Sequence, residues 1–181
     1  MGDLMGDLKR AIAYLKELGF KPNIDKFQDR LVIQKTVCLL EMMGMKMNYP
    51  FSLYVRGPYS PNLTVDLYSQ KAAVNKLKTD YSPNDEEKKN LQTFSEISNN
   101  LEPAVLEIMS TYAFLIQDPE NNEKQAIIKL KKLKSFYSEG RIAMGISKAK
   151  QLLFKPTEKE IEKMKSEFRD IEEAGLEDKK Y

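Results

Sequence analysis

The 181-residue chain contains no histidine and a single cysteine, Cys38. These two scarcities exclude Cys/His zinc sites, histidine-based triads and imidazole acid–base chemistry. Neither G-x-x-x-x-G-K-[ST] nor G-x-G-x-x-G occurs, so the chain has no glycine-rich phosphate loop. Catalysis would fall to carboxylates, lysines or tyrosines, and the chain reads as a protein without enzymatic activity, cofactor or metal. No apolar run approaches the ~18 residues of a membrane span. The opening "MGDLMGDLKR" lacks the basic-then-apolar layout of a secretory signal. A lone cysteine in an apolar, helix-like segment reads as a packing residue in a reducing compartment, so the expected location is the cytoplasm.

What is present suits one globular core: 41% hydrophobic and 31% charged residues over a length that one domain can use. The expected organisation is a single helical domain over 1–155, with a capped helix and frayed tail over 156–181 packed on it. Charge is distributed unevenly. The net charge is +2, yet residues 124–155 hold nine Lys/Arg against one acid, Glu139. Such a segment suits an acidic partner, either nucleic acid or protein.

Periodicity predicts a mainly α fold. Leu4, Leu8, Ile12, Leu15 and Leu18 repeat at helical spacing and stop at Gly19. Asp25-x-x-Gln28 has the form of a capping box opening a second helix that Gly44 ends. That helix is apolar nearly all round except for Gln34 and Glu41, which predicts a central position. Further helices are expected over about 83–98, from Glu102, from Asp118-Pro119 with Ile127, Leu130 and Leu133 inward, and over 141–154. A last helix is expected from Thr157, carrying Ile161, Met164, Phe168 and Ile171, with its glutamates solvated or at a dimer contact.

The stretch Phe51 to Tyr68, "FSLYVRGPYSPNLTVDLY", breaks this pattern. Its period of two predicts a short strand with Phe51, Leu53 and Val55 inward and Tyr54 and Arg56 on the other face. One strand is not stable alone, so a partner strand is expected from 45–49 or from another chain, giving a small hairpin near residues 45–56. The order of elements also suits a winged-helix arrangement. Gly57-Pro58 makes a tight corner, and Ser60-Pro61 is an N-cap and N1 pair opening the next helix.

These residues carry a resemblance. "IQKTVCLLEMMG" followed by "YPFSLYVRGPYSPNLTVDLY" is similar to a pattern in small prokaryotic proteins of the YwgA-like group. More distantly it resembles the Panacea (SocA-like) antitoxin domain, with its lysine-bearing helix and Tyr-Gly-Pro turn. The resemblance spans Leu31 to Ser69 and departs from the pattern at Arg56 and at Val37-Cys38, where aromatics are usual. It implies toxin neutralisation or adaptor function through protein contact, without catalysis.

Two readings of the corner stand side by side. Tyr54, Arg56, Tyr59 and Asp66 suit a partner-binding hot spot, because tyrosine and arginine on a stiff turn lose little entropy on contact. Alternatively Arg56 pairs with Asp66 and the tyrosines cover the core edge. Lys35, among Leu31, Leu39 and Met42 on the wheel, must snorkel or meet an acid, and a desolvated lysine can also act as a nucleophile. Lys124, Lys129, Lys131, Lys132 and Lys134 form a basic stripe, expected outward. It is either a solvated face or a phosphate-contacting one, which makes a nucleic-acid binder the second functional reading. Membrane binding is not expected, and a homodimer is compatible with the last helix.

Overall fold

The structure, a computed structural model, describes residues 6–154 and, beyond them, positions 159, 162, 163, 165, 166 and 169. Helix α1 (Leu8–Glu17) starts where the Asp7 carboxylate accepts the Arg10 N–H, and left-handed Gly19 follows its end. Its stripe buries Ile12 and Leu15 as the periodicity predicts. Helix α2 (Phe27–Met42) starts differently from expectation. Its N-cap is Lys26, with no side-chain cap, and Asp25 and Gln28 form no capping box. Instead Asp29 accepts the Asn23 N–H at 2.8 Å and the Arg30 guanidinium donates to the Ile24 and Asp25 carbonyls. Left-handed Gly44 ends the helix.

The second strand comes from the corner itself. Strand β1 (Ser52–Tyr54) pairs antiparallel with β2 (Gly57–Tyr59), in the register Ser52↔Tyr59, Leu53↔Pro58 and Tyr54↔Gly57. Val55 and Arg56 therefore form a two-residue loop rather than continuing the strand. Neither has positive φ; the left-handed residue is Gly57, at φ 90°, as in a type I turn closed by glycine. This overturns the inward placement of two residues: Val55 is 90% exposed at the loop tip, and Leu53 is exposed on β1. The alternation fails even within the paired strand, since Ser52, Leu53 and Tyr54 are all exposed and the hairpin meets the helices through β2 instead.

Helix α3 (Pro61–Ser69) opens as expected, with Ser60 accepting the Leu63 N–H and Pro61 at N1. The short α4 (Lys71–Asn75) continues it after a break at Gln70. Helix α5 (Asp85–Ser98) begins at a capping box of Asn84 and Glu87, and α6 (Pro103–Gln117) begins after Glu102. Helix α7 (Glu123–Leu133) opens at a capping box of Asn122 and Gln125, four residues after the expected Asp118-Pro119 start. Helix α8 (Glu139–Leu153) completes the described bundle; the expected helix from Thr157 starts outside the described residues.

Two helices share the centre. Alongside α2, α6 buries an unbroken run from Val105 to Ala113 and packs against α2, α7, α8 and β2. The fold is thus mainly helical with one small antiparallel hairpin. Strand β2 is seated on α2 and α6 rather than standing clear of the helices as a wing does. Among the described residues, no helix is long and apolar enough to cross a membrane.

Candidate functional site

The polar residues of α2 hold the hairpin in place. Gln34, buried, donates from Nε2 to the Ser60 carbonyl and accepts the Ser60 N–H, both at 2.9 Å, and also donates to Thr64. It thereby completes the backbone pairing that a third strand would otherwise supply. Glu41 does the same upstream, accepting the Met47 and Tyr49 N–H groups.

Two lysines perform the corresponding service for hairpin carbonyls. Lys35 is 1% exposed, and its Nζ donates to the Pro58 carbonyl at 2.7 Å. It neither snorkels nor touches an acid. Lys134, also 1% exposed, donates to the Val55 carbonyl at 3.2 Å and to Glu107 Oε1 at 2.5 Å. Glu107 is equally buried on α6, and its Oε2 accepts no hydrogen bond; Arg56 Nη1 lies 3.8 Å from it. Lys35, Lys134 and Glu107 are therefore buried beneath the hairpin, and Arg56, on the hairpin's own loop and 58% exposed, reaches towards the same carboxylate. Desolvation pulls the Lys35 ammonium down to about 8, while Glu107 opposes that shift.

Gly57 lets these groups approach. A Cβ there would lie 2.4 Å from Thr111 Oγ1 and 3.5 Å from Lys35 Nζ, and the φ of 90° already disfavours any side chain.

Above this cluster lies a cavity of about 480 Å³ between the start of α2, the hairpin and α3. Its walls include the rings of Phe27, Tyr54, Tyr59 and Tyr68, and its cations are Arg30, Lys35 and Arg56. Among the described residues, no carboxylate lines it. Phe27 is 54% and Tyr54 51% exposed. Tyr54 and Tyr59 meet edge to face at 5.2 Å, which stiffens the rim. Arg56 and Arg30 both stand over the Phe27 ring, at 5.5 and 5.8 Å, and Arg30 also faces Tyr68 at 5.6 Å.

Of the expected corner residues, Tyr54, Arg56 and Tyr59 thus come together, and Asp66 does not. Asp66 accepts the Tyr49 hydroxyl at 2.8 Å and lines a different groove beside α1. The expected Arg56–Asp66 pair is replaced by Arg56 and Glu107, because the hairpin turn carries Arg56 towards α6.

The basic stripe is also rearranged. Ala126, Leu130 and Lys134 fall four residues apart and form the inward row, so Lys134 is buried while Leu133 is 43% exposed. Lys129 donates to Asn121, and Lys131 pairs with Glu139; Lys124 and Lys132 are exposed.

Phe27, Arg30 and Glu107 join the site without a motif in the sequence that marks them. Phe27, Arg30 and Gln34 lie on one helical face at spacings of three and four, a signal that was legible once the helix start was placed. Glu107 gave no signal, since a glutamate in an apolar helix does not announce a partner 27 residues away.

Fold and site together define a small helical domain whose hairpin closes an aromatic, cation-rich cavity. No family model matches the chain, and no curated protein or solved structure matches it.

Proposed function

We propose that this protein is a non-catalytic, cytoplasmic protein-interaction module, antitoxin-like or an adaptor, whose partner meets the face formed by Phe27, Tyr54, Arg56 and Tyr59. The observation that carries the reading is the exposure of Phe27 and Tyr54, with half-buried Tyr59 beside them, around an arginine on a hairpin anchored by buried lysines. Aromatic and arginine side chains held rigidly at a cavity rim have the composition of interface hot spots, and rigidity lowers the entropy lost on binding. Membership of the YwgA-like group belongs to the same proposal and rests on the residues between Leu31 and Ser69.

The test is affinity capture from source cells with the wild type and with Arg56→Ala plus Tyr59→Ala, both checked for folding. A partner captured by the wild type is expected to bind the double variant at least ~30-fold more weakly, the loss of one hot spot of about 2 kcal/mol. Equal recovery by both proteins removes this face as the binding site.

A further inference from the structure

The charge beneath the cavity is unbalanced. Lys134 engages the carboxylate of Glu107 closely and Arg56 stands 3.8 Å from its other oxygen, whereas buried Lys35 donates to a carbonyl and not to that carboxylate. An excess buried ammonium is costly unless an anion joins it. The Lys35 ammonium has three N–H donors. One is engaged by the Pro58 carbonyl, and the residue lines the cavity while remaining 1% exposed. Arg30 adds a guanidinium fixed in place by the Ile24 and Asp25 carbonyls. Arg30, Lys35 and Arg56 all line this one cavity and are not spread along a surface track, which suits a single anionic group and not a nucleic-acid backbone.

We infer that the cavity receives a carboxylate from an acidic peptide segment of the partner, with an aromatic or large aliphatic side chain beside that acid. This rests on the interaction reading above and specifies its chemistry. A carboxylate accepts in-plane N–H bonds from an arginine such as Arg56, charge-assisted hydrogen bonds that are strong away from bulk water. The rings of Phe27, Tyr54 and Tyr59 supply the apolar surface for the neighbouring side chain. At about 480 Å³, the cavity has room for one or two side chains.

A random linear peptide library displayed on phage, selected against the folded full chain, tests this and requires no identified partner. The expected winners place Asp or Glu next to Phe, Tyr, Trp or Leu. A synthesised winner is expected to lose at least ~10-fold in affinity to Arg56→Gln and to Lys35→Met, and equally when its acid becomes the amide. Arg56→Gln changes an exposed loop residue, so the comparison holds even if Lys35→Met proves unstable. Winners without acids, basic winners, or equal binding to wild type and variants overturn the inference. An empty selection overturns it as well. In each of those cases, a partner still lost on Arg56→Ala plus Tyr59→Ala leaves the interaction reading standing, which separates the two failures.

Discussion

Lys35 is the residue whose environment has the most measurable consequence. Desolvation lowers its ammonium from 10.5 to about 8; Glu107 and Cys38 oppose the shift, and Lys134 and Arg56 reinforce it. The unfolded chain therefore holds this proton more tightly than the folded one. The associated stability is present above about 10.5 and is lost as pH falls through about 8. Cys38, whose thiol burial pushes up to about 12, acts in the opposite sense at alkaline pH, as do Tyr14 and Tyr49, both raised by burial. A difference measurement isolates the lysine. Denaturant unfolding should show Lys35→Met most favourable relative to wild type near neutral pH, with that advantage shrinking by roughly 2 kcal/mol towards about pH 10. A pH-independent difference would mean that Lys35 is not a desolvated charge. At this scale the sequence marked Lys35, Tyr54, Arg56 and Tyr59 as unusual, because residue type against helical or strand phase is a local property. It misplaced Asp66 and Lys134, since a charge has several partners in reach and only the fold chooses among them.

Elements were legible where a cap or a period stood near their ends, except at the starts of α2 and α7, where the Asp25-x-x-Gln28 and Asp118-Pro119 signals did not mark the cap. Ser60-Pro61, Gly19 and Gly44 bound their helices as their chemistry requires. Strand β2 was not legible: Gly57-Pro58-Tyr59 has poor strand propensity, and Pro58 lacks a donor. It exists because Gln34 and Lys35 on α2 and Lys134 beyond α7 bond the hairpin's backbone from the helix side. Helix packing offers its own test at α8. A Cβ on Gly145 would lie 2.3 Å from Ile108 Cγ2 and 2.7 Å from its Cβ, so the glycine is what lets α8 close on α6. Ile108 is β-branched and has little rotamer freedom to yield. Gly145→Ala is expected to lose about 1–3 kcal/mol in denaturant unfolding through overpacking. Gly140→Ala, on the same helix with open space around it, is expected to gain up to ~1 kcal/mol from helix propensity. Equal effects at the two glycines would contradict this packing.

For the whole molecule, the question is where the concentrated positive charge goes. Much of the 124–155 segment is paired within the fold: Lys131 with Glu139, Arg141 with Glu102, Lys150 with Glu123, and Lys134 inside with Glu107. The three surface pairs are worth only about 0–1 kcal/mol each, but they lower the positive field that a phosphate backbone would meet. Titrating a labelled DNA duplex and a single-stranded RNA at about 50 mM salt should show no binding at micromolar protein, under conditions where phosphate contacts are strongest. Binding that weakens on charge reversal at Lys124 and Lys132 would restore the nucleic-acid reading. Period, capping chemistry and composition, all readable along the chain, were enough to establish a mainly helical domain without histidine chemistry and a distinctive corner at 51–68. Folding was needed to decide that the corner pairs with itself, that Lys134 turns inward, and that Glu107 lies beneath Arg56. The reason is physical: helix and turn signals act over a few residues, whereas buried charges choose partners by distance in space, here between residues as far apart as Val55 and Lys134.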